Sequence, residues 1–392
     1  MNKTKELGQY FTTNINLKDI LYNFIFNKPE CILEPSIGQG DLITYILEKN
    51  PDINFDMYEI DNTIKFLNGI DKNKINFGNF LNQNINKLYK TIIGNPPYIK
   101  QKFRNIYIDF IDKCFNLLEE NGELIFIVPS DFLKLTSASK ILNKMMLNGS
   151  FTHIHHPNNE KLFENASINI IIFRYVKDKN LNKTVLYNDK LLYITNSDGL
   201  ITFNENETEN TYMFGNYFDI YVGIVSGKED VFKNDILGNI EVLNGFNKKE
   251  KYILIDKYPS DNPDIDNYLI KYKSTLLNRK IRKFNEKNWF EWGALRNIKT
   301  INENIDKECI YLYNLTRKDN IAFKNKVSYF GGNLICLIPK NNIDLDKILS
   351  YLNSIEFKNN FMFSGRFKCG HRQLYNSFIP NLFLSLHTTS ES

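Results

Sequence analysis

Cys31-Ile32-Leu33-Glu34-Pro35-Ser36-Ile37-Gly38-Gln39-Gly40-Asp41 decides the fold. A short apolar run gives way to a loop with two glycines one residue apart. The helical pattern Leu42, Ile43, Ile46 and Leu47 follows at once. Strand, glycine loop and helix form the opening unit of a doubly wound sheet, in which ligands bind at that turn. Glycine at such a turn lets a ligand approach the main chain closely. Alone the pattern is weak, because it lacks the third glycine of the dinucleotide fingerprint.

Downstream, the strand Phe55–Tyr58 ends in Glu59-Ile60-Asp61. Glu59 stands about 20 residues past the glycine loop, where a carboxylate can take both ribose hydroxyls of a nucleoside. A surface acid at a strand end is the plainer use of such a residue. A third strand, Lys74–Phe77, leads to Gly78-Asn79-Phe80, and a fourth, Thr91-Ile92-Ile93, runs into Gly94-Asn95. Beyond it an amphipathic helix spans Tyr107–Leu118. The buried strand Leu124–Val128, a helix over Ser139–Leu147 and strands at Phe151–His155 and Ile168–Tyr175 follow. Upstream, Thr13 or Asn14 can cap a helix over Leu17–Phe26. Strands alternating with helices predict an α/β sheet with helices on both faces.

The fourth strand ends in Asn95-Pro96-Pro97-Tyr98. Each proline fixes its own φ and restricts the residue before it. The Pro96 carbonyl and the Asn95 side chain are thereby held in a fixed relation. Two oxygens so placed can accept both hydrogens of a planar NH2 group, and Tyr98 can lie flat against the ring that carries it. Asn-Pro is also an ordinary turn former, so the motif gains weight only beside the glycine loop and Glu59.

The chain has 392 residues, which predicts two domains. Its apolar content of 42% suffices for sizeable cores, and 14% aromatics argues against disorder. The net charge of +4 permits a local basic cleft for nucleic acid without demanding one. Five scattered cysteines without a CxxC pair argue for a reducing compartment and against a Cys-based zinc cluster. His153, His155 and His156 read as strand-end residues, so no metal site is expected. No apolar run reaches the roughly 20 residues of a spanning helix. The polar N-terminus lacks a signal peptide's core. A soluble cytoplasmic protein is expected.

These motifs, in this order, resemble the gamma group (Taq methylase-like) of S-adenosylmethionine-dependent DNA adenine-N6 methyltransferases. Leu7-Gly8-Gln9-Tyr10-Phe11-Thr12 is similar to the group's N-terminal motif, Leu33–Gly40 to its cofactor loop, and Asn95–Tyr98 to its catalytic motif. Val128-Pro129-Ser130-Asp131-Phe132 and Leu162–Ile168 are also similar to the family. The resemblance implies a Rossmann-like methyltransferase sheet over residues 1–180 and a mixed α/β target-recognition domain over 181–392. It implies S-adenosylmethionine held by Tyr10, Thr12, Glu34, Pro35, Gly38, Gly40, Glu59, Ile60, Asn79, Phe80, Asn95 and Pro97. Catalysis is implied for Asn95, Pro96 and Tyr98, with Phe163 as a second aromatic against the target base; a core phenylalanine is the equal alternative. Two positions depart from the family pattern: Glu34 and Asn79 stand where many relatives carry aspartate.

The chemistry implied is direct transfer of the methyl group to adenine N6, by positioning and electrostatics alone. The base must first leave the duplex, at about a few kcal/mol, partly recovered by stacking worth roughly 1–3 kcal/mol. In the second half, Arg279, Lys280, Arg282 and Lys283, with Trp289 and Arg296, suit phosphate contact and strand wedging. Arg366, Lys368 and Arg372 form a second candidate surface. A charge run is more often a solvated face. The expected partners are double-stranded DNA and a separately encoded cognate endonuclease, with the chain a monomer or weak dimer. A protein glutamine-N5 methyltransferase, an RNA adenine methyltransferase and an inactive DNA-binding subunit remain open alternatives.

Overall fold

The computed structural model describes residues 8–101, 104–163, 167–207 and 212–380. They fall into two compact units, Met1–Thr208 with Phe363–Gly365, and Glu209–Met362 with Arg366–Ser392. Leu7 and Glu164-Asn165-Ala166, parts of two motifs above, lie outside the described residues.

In the first unit ten strands form one sheet. They are β1 (Cys31–Glu34), β2 (Asn54–Glu59), β3 (Ile75–Phe77), β4 (Tyr89–Gly94), β5 (Leu118–Pro129), β6 (Ser150–His155), β7 (Ile170–Val176), β8 (Thr184–Tyr187), β9 (Lys190–Ser197) and β10 (Leu200–Asn204). Their order is β10-β9-β8-β6-β7-β5-β4-β1-β2-β3. Strands β1 to β5 pair in parallel. Strand β7 inserts antiparallel between β5 and β6. The order reverses at β1, which pairs with β2 on one side and β4 on the other.

Alternation along the central strands feeds two cores. Leu33, Ile92, Leu124, Phe126, Val128, Ile171 and Phe173 enter one, with helices α3 (Ile106–Asn116) and α4 (Ser139–Leu147). Their chain neighbours Ile32, Ile93, Ile125, Ile127, Ile170 and Ile172 enter the other, with α1 (Ile15–Asn23) and α2 (Asp41–Lys49). Period-two side-chain direction explains why these strands read as unbroken apolar runs. Asn14 caps α1, accepting from the Asn16 and Leu17 amides. Leu17 and Leu21 are fully buried, worth about 1.5–3 kcal/mol each.

The boundary expected at residue 180 moves. Strand β8 pairs in parallel with β6, and β9 and β10 continue by antiparallel pairing. These three strands therefore belong to the first sheet, and the first unit runs on past residue 180 to Thr208.

The second unit holds a four-stranded antiparallel sheet of β11 (Phe218–Val222), β14 (Glu308–Tyr313), β15 (Ala322–Lys326) and β16 (Leu334–Pro339), ordered β11-β16-β14-β15. A separate hairpin pairs β12 (Ile240–Gly245) with β13 (Lys248–Tyr252). Helices α5 (Pro263–Ile270) and α6 (Leu345–Leu352) complete the mixed α/β character expected.

Candidate active site

The site lies at the carboxyl ends of β1, β2 and β4, beside the strand-order reversal where doubly wound sheets bind ligands. Gly38 and Gly40 take φ of +56° and +93°, conformations only glycine adopts readily. A Cβ on Gly40 would stand 2.6 Å from Ile70. The loop that they shape donates the Gly38 amide to Glu59 Oε2 at 2.9 Å, and the Asp61 amide donates to Oε1 at 2.9 Å. Glu59 is buried, and burial raises its pKa against the pull of these amides. Each oxygen keeps a lone pair, so both could accept vicinal hydroxyls. Ile60, next in the chain, is 54% exposed and offers an apolar surface beside that carboxylate.

Glu34 accepts the Ser36 amide at 3.1 Å. Its carboxyl is wholly buried, and desolvation, with Glu59 nearby, pushes its pKa up to about 8. A Cβ on Gly94 would stand 3.1 Å from Glu34 Oε1 and 3.4 Å from the Pro35 ring. Glu34 and Pro35 thus abut the end of β4. The Ser36 hydroxyl is buried without a hydrogen-bond partner.

Asn95 follows β4. Its side-chain nitrogen donates to the Tyr10 carbonyl at 2.7 Å and to Thr12 Oγ1 at 3.1 Å. Its oxygen lies 2.5 Å from the Tyr98 hydroxyl, which also lies 2.9 Å from the Ile127 carbonyl. One hydroxyl hydrogen serves two acceptors. Burial lifts the Tyr98 pKa well above its ordinary value, so the phenol stays a donor. Pro96 is buried and Pro97 half-buried beside it.

The arm that carries Tyr10 and Thr12 leads into α1, whose end is pinned to the sheet. The Phe26 and Asn27 amides donate to the buried Glu123 carboxylate. Thr91 donates to it at 2.9 Å and Arg174 pairs with it at 2.8 Å. The sequence analysis missed this anchor. Its signal was a charge inside each of two apolar runs, Glu123 before Leu124 and Arg174 after Phe173.

The remaining candidates are placed by their packing, Phe163 in the core position that was its equal alternative. The Tyr10 ring, 5.6 Å from that of Tyr98 with planes 26° apart, takes the stacked place, while Phe163 meets Tyr98 edge-on at 6.3 Å. Phe163 is buried, so this geometry leaves it no open face parallel to Tyr98. Phe80 commits its ring to the core against Tyr58 and Phe110. Asn79 is exposed, and its side-chain oxygen accepts the Leu81 amide at 3.0 Å.

In the second unit Arg279 is no phosphate contact. It is buried, and its guanidinium donates to the carbonyls of Leu276, Ser226, Trp289 and Glu291. Trp289 is buried as well. Lys280, Lys283 and Arg296 are exposed. Arg282, also exposed, pairs with Glu291 at 2.6 Å. Lys368 is exposed, while Arg366 and Arg372 are half-buried. Among the described residues, no group of three His, Cys, Asp or Glu side chains could hold a metal ion, and no helix is long and apolar enough to cross a membrane.

Sheet and site together have the architecture of the Rossmann-like methyltransferase fold. Residues 40–163 match the Eco57I restriction-modification methylase family. The chain is 26% identical over 444 residues to the type II methyltransferase M.HindII of Haemophilus influenzae, covering 90% of this chain and 84% of that protein. It is 31% identical over 209 residues to M.HincII of Haemophilus influenzae, covering 48% of this chain and 40% of that protein. The solved type IIL restriction-modification enzyme MmeI, in complex with DNA, shares the fold with a TM-score of 0.57 at 11% identity, over 92% of this chain and 65% of that one. These likenesses support a DNA methyltransferase of the restriction-modification type with S-adenosylmethionine as its methyl donor.

The residues present fit that donor. Glu59 has free lone pairs for a ribose, Ile60 an apolar face for a purine, and the Ser36 hydroxyl an unused buried donor.

Proposed function

We propose that the chain methylates the exocyclic N6 of adenine at a short, specific sequence in duplex DNA. One observation carries this reading: the Asn95 amide has its nitrogen end engaged by Tyr10 and Thr12. Its oxygen is thereby turned to the side where Tyr98 lies. That oxygen and the adjacent Pro96 carbonyl form an acceptor pair suited to a planar amine.

When bound, S-adenosylmethionine supplies a sulfonium methyl group. The chain's own part is to hold and orient. Asn95 and Pro96 accept from the amine and draw its nitrogen toward a tetrahedral form, exposing the lone pair. Tyr98 hands its hydrogen to the Ile127 carbonyl as the amine takes its place on Asn95. Entry of a base flat against Tyr98 displaces the Tyr10 ring, which occupies that face in the structure. Preorganised acceptors of this kind act by positioning and electrostatics. Cys114 lies in the core and Cys31 takes a hydrogen bond from Lys87, so the scheme uses no thiol nucleophile. The second unit serves target recognition, with Lys280, Arg282, Lys283, Arg296 and Lys368 as exposed cations for phosphates.

Purified chain incubated with methyl-labelled donor and plasmid DNA is expected to yield labelled N6-methyladenine on nucleoside analysis. Asn95→Ala is expected to abolish transfer and retain donor binding. Label found in N4-methylcytosine, in RNA or in a polypeptide would overturn the proposal, as would near-normal activity of Asn95→Ala.

A further inference from the structure

The β12–β13 hairpin turns through Phe246-Asn247, a turn that no motif of the sequence analysis contains. Phe246 is 60% exposed, while one edge of its ring rests on Phe323 at 5.7 Å between centroids. The turn is held from three sides. The Phe246 amide donates to the Tyr313 hydroxyl at 2.9 Å. The Asn333 side chain donates to the Asn244 carbonyl at 2.8 Å. A Cβ on Gly245 would stand 2.7 Å from the Tyr313 hydroxyl, so Tyr313 packs directly on the main chain. An apolar ring is thus presented to solvent on a fixed support, against the ordinary tendency to bury it.

Lysines lie on the same hairpin and on the Tyr313 support. Lys318 donates to the same Tyr313 hydroxyl at 3.1 Å and lies 4.7 Å from the Tyr313 ring centre. Lys248 and Lys233 share one carboxylate, Glu250, at 3.3 and 2.6 Å. Lys249 is exposed and makes a long, solvent-exposed ion pair with Glu241 at 3.7 Å, which a phosphate could replace.

We infer that this hairpin turn is a duplex-DNA contact, with Phe246 a wedge against a base step and Lys248, Lys249 and Lys318 neutralising flanking phosphates. The inference rests on the DNA substrate proposed above. Charge chooses the occupant: an exposed apolar ring on a lysine-rich hairpin fits a polyanion with stacked apolar steps.

The test uses the full chain with closed circular plasmid, which needs no knowledge of the recognition sequence. Wild type is expected to bind, and to shift the topoisomer distribution left after relaxation by a topoisomerase. Phe246→Ala is expected to bind about tenfold more weakly and to leave the topoisomers unshifted, with Phe246→Trp restoring both. Lys318→Gln and Lys248→Gln are each expected to flatten the salt dependence of binding by about one phosphate contact. Circular dichroism of each variant checks the fold. Wild-type behaviour of Phe246→Ala in both assays would overturn this inference and leave the substrate reading standing. Failure of wild type to bind any duplex would overturn both. A change in sedimentation alone would make the turn a contact between copies of the chain, against the inference.

Discussion

The side-chain nitrogen of Asn95 donates to the hydroxyl of Thr12 at 3.1 Å, across 83 positions of sequence. An amide has two ends of similar size and opposite hydrogen-bonding character. Thr12, with the Tyr10 carbonyl, decides which end faces the reacting amine. Thr12 is therefore a positioning residue. Thr12→Val is expected to lower kcat by about ten- to a hundredfold, the cost of an unpaired buried amide hydrogen. Donor affinity should change little, and Thr12→Ser should restore activity. Steady-state kinetics with donor titration checks this; equal losses in Thr12→Ser and Thr12→Val would reduce Thr12 to a packing role.

Glu34 carries a pH signature. Its pKa rises from the ordinary 4.5 to about 8 on folding, chiefly through burial. Between those values the folded state binds a proton that the unfolded state has lost. Stability should accordingly fall as pH rises from about 4.5 to about 8, and level off above. Glu34→Gln removes the titration. Melting temperatures across this range should fall more steeply for wild type than for the variant, and parallel curves would contradict the assignment.

Asn79 turns its oxygen to the Leu81 amide. Asn79→Asp would keep that cap and add a charged acceptor beside the donor's expected purine. Charge-assisted hydrogen bonds are roughly twice as strong as neutral ones, so donor affinity should rise several-fold by calorimetry. Unchanged affinity would mean that position 79 does not reach the purine.

Arg279 separates architecture from recognition. Four carbonyls accept from its buried guanidinium, and its carbon centre lies 3.7 Å from the Phe284 ring centre. Arg279→Ala strands those acceptors and should cost about 3 kcal/mol or more in stability. Lys280→Ala and Lys283→Ala should leave the melting temperature unmoved and weaken plasmid retention modestly. Thermal melts read beside filter binding distinguish the two; a fully stable Arg279→Ala that fails only to bind DNA would reverse the assignment.

The first unit's parallel strands were legible because burial on both faces leaves apolar runs such as Ile92-Ile93 and Leu124–Val128. The placing of Glu59 and Asn95 at strand ends was legible because the alternation of strand, loop and helix fixes where each strand stops. The helix over Ser139–Leu147 has the bounds its periodicity gives. The boundary near 180 was misplaced because alternation in Val185–Ile194 announces a hairpin without saying which sheet receives it. Arg279 was misread because a run of basic residues does not show which member turns inward; only the carbonyls that surround it reveal that. Tyr10 was expected at the donor, and its stacking on Tyr98 depends on how an arm folds back over eighty-odd residues, which no local pattern encodes.

One bond on Asn95 comes from the Tyr10 main chain and not from a side chain. Replacing the residue at position 10 leaves a carbonyl in its place. Point mutation can therefore erode the ring of Tyr10 without touching this bond, whereas inserting or deleting a single residue between Tyr10 and α1 would carry the carbonyl out of reach. Evolutionary drift in this arm should be free in residue identity and strict in length.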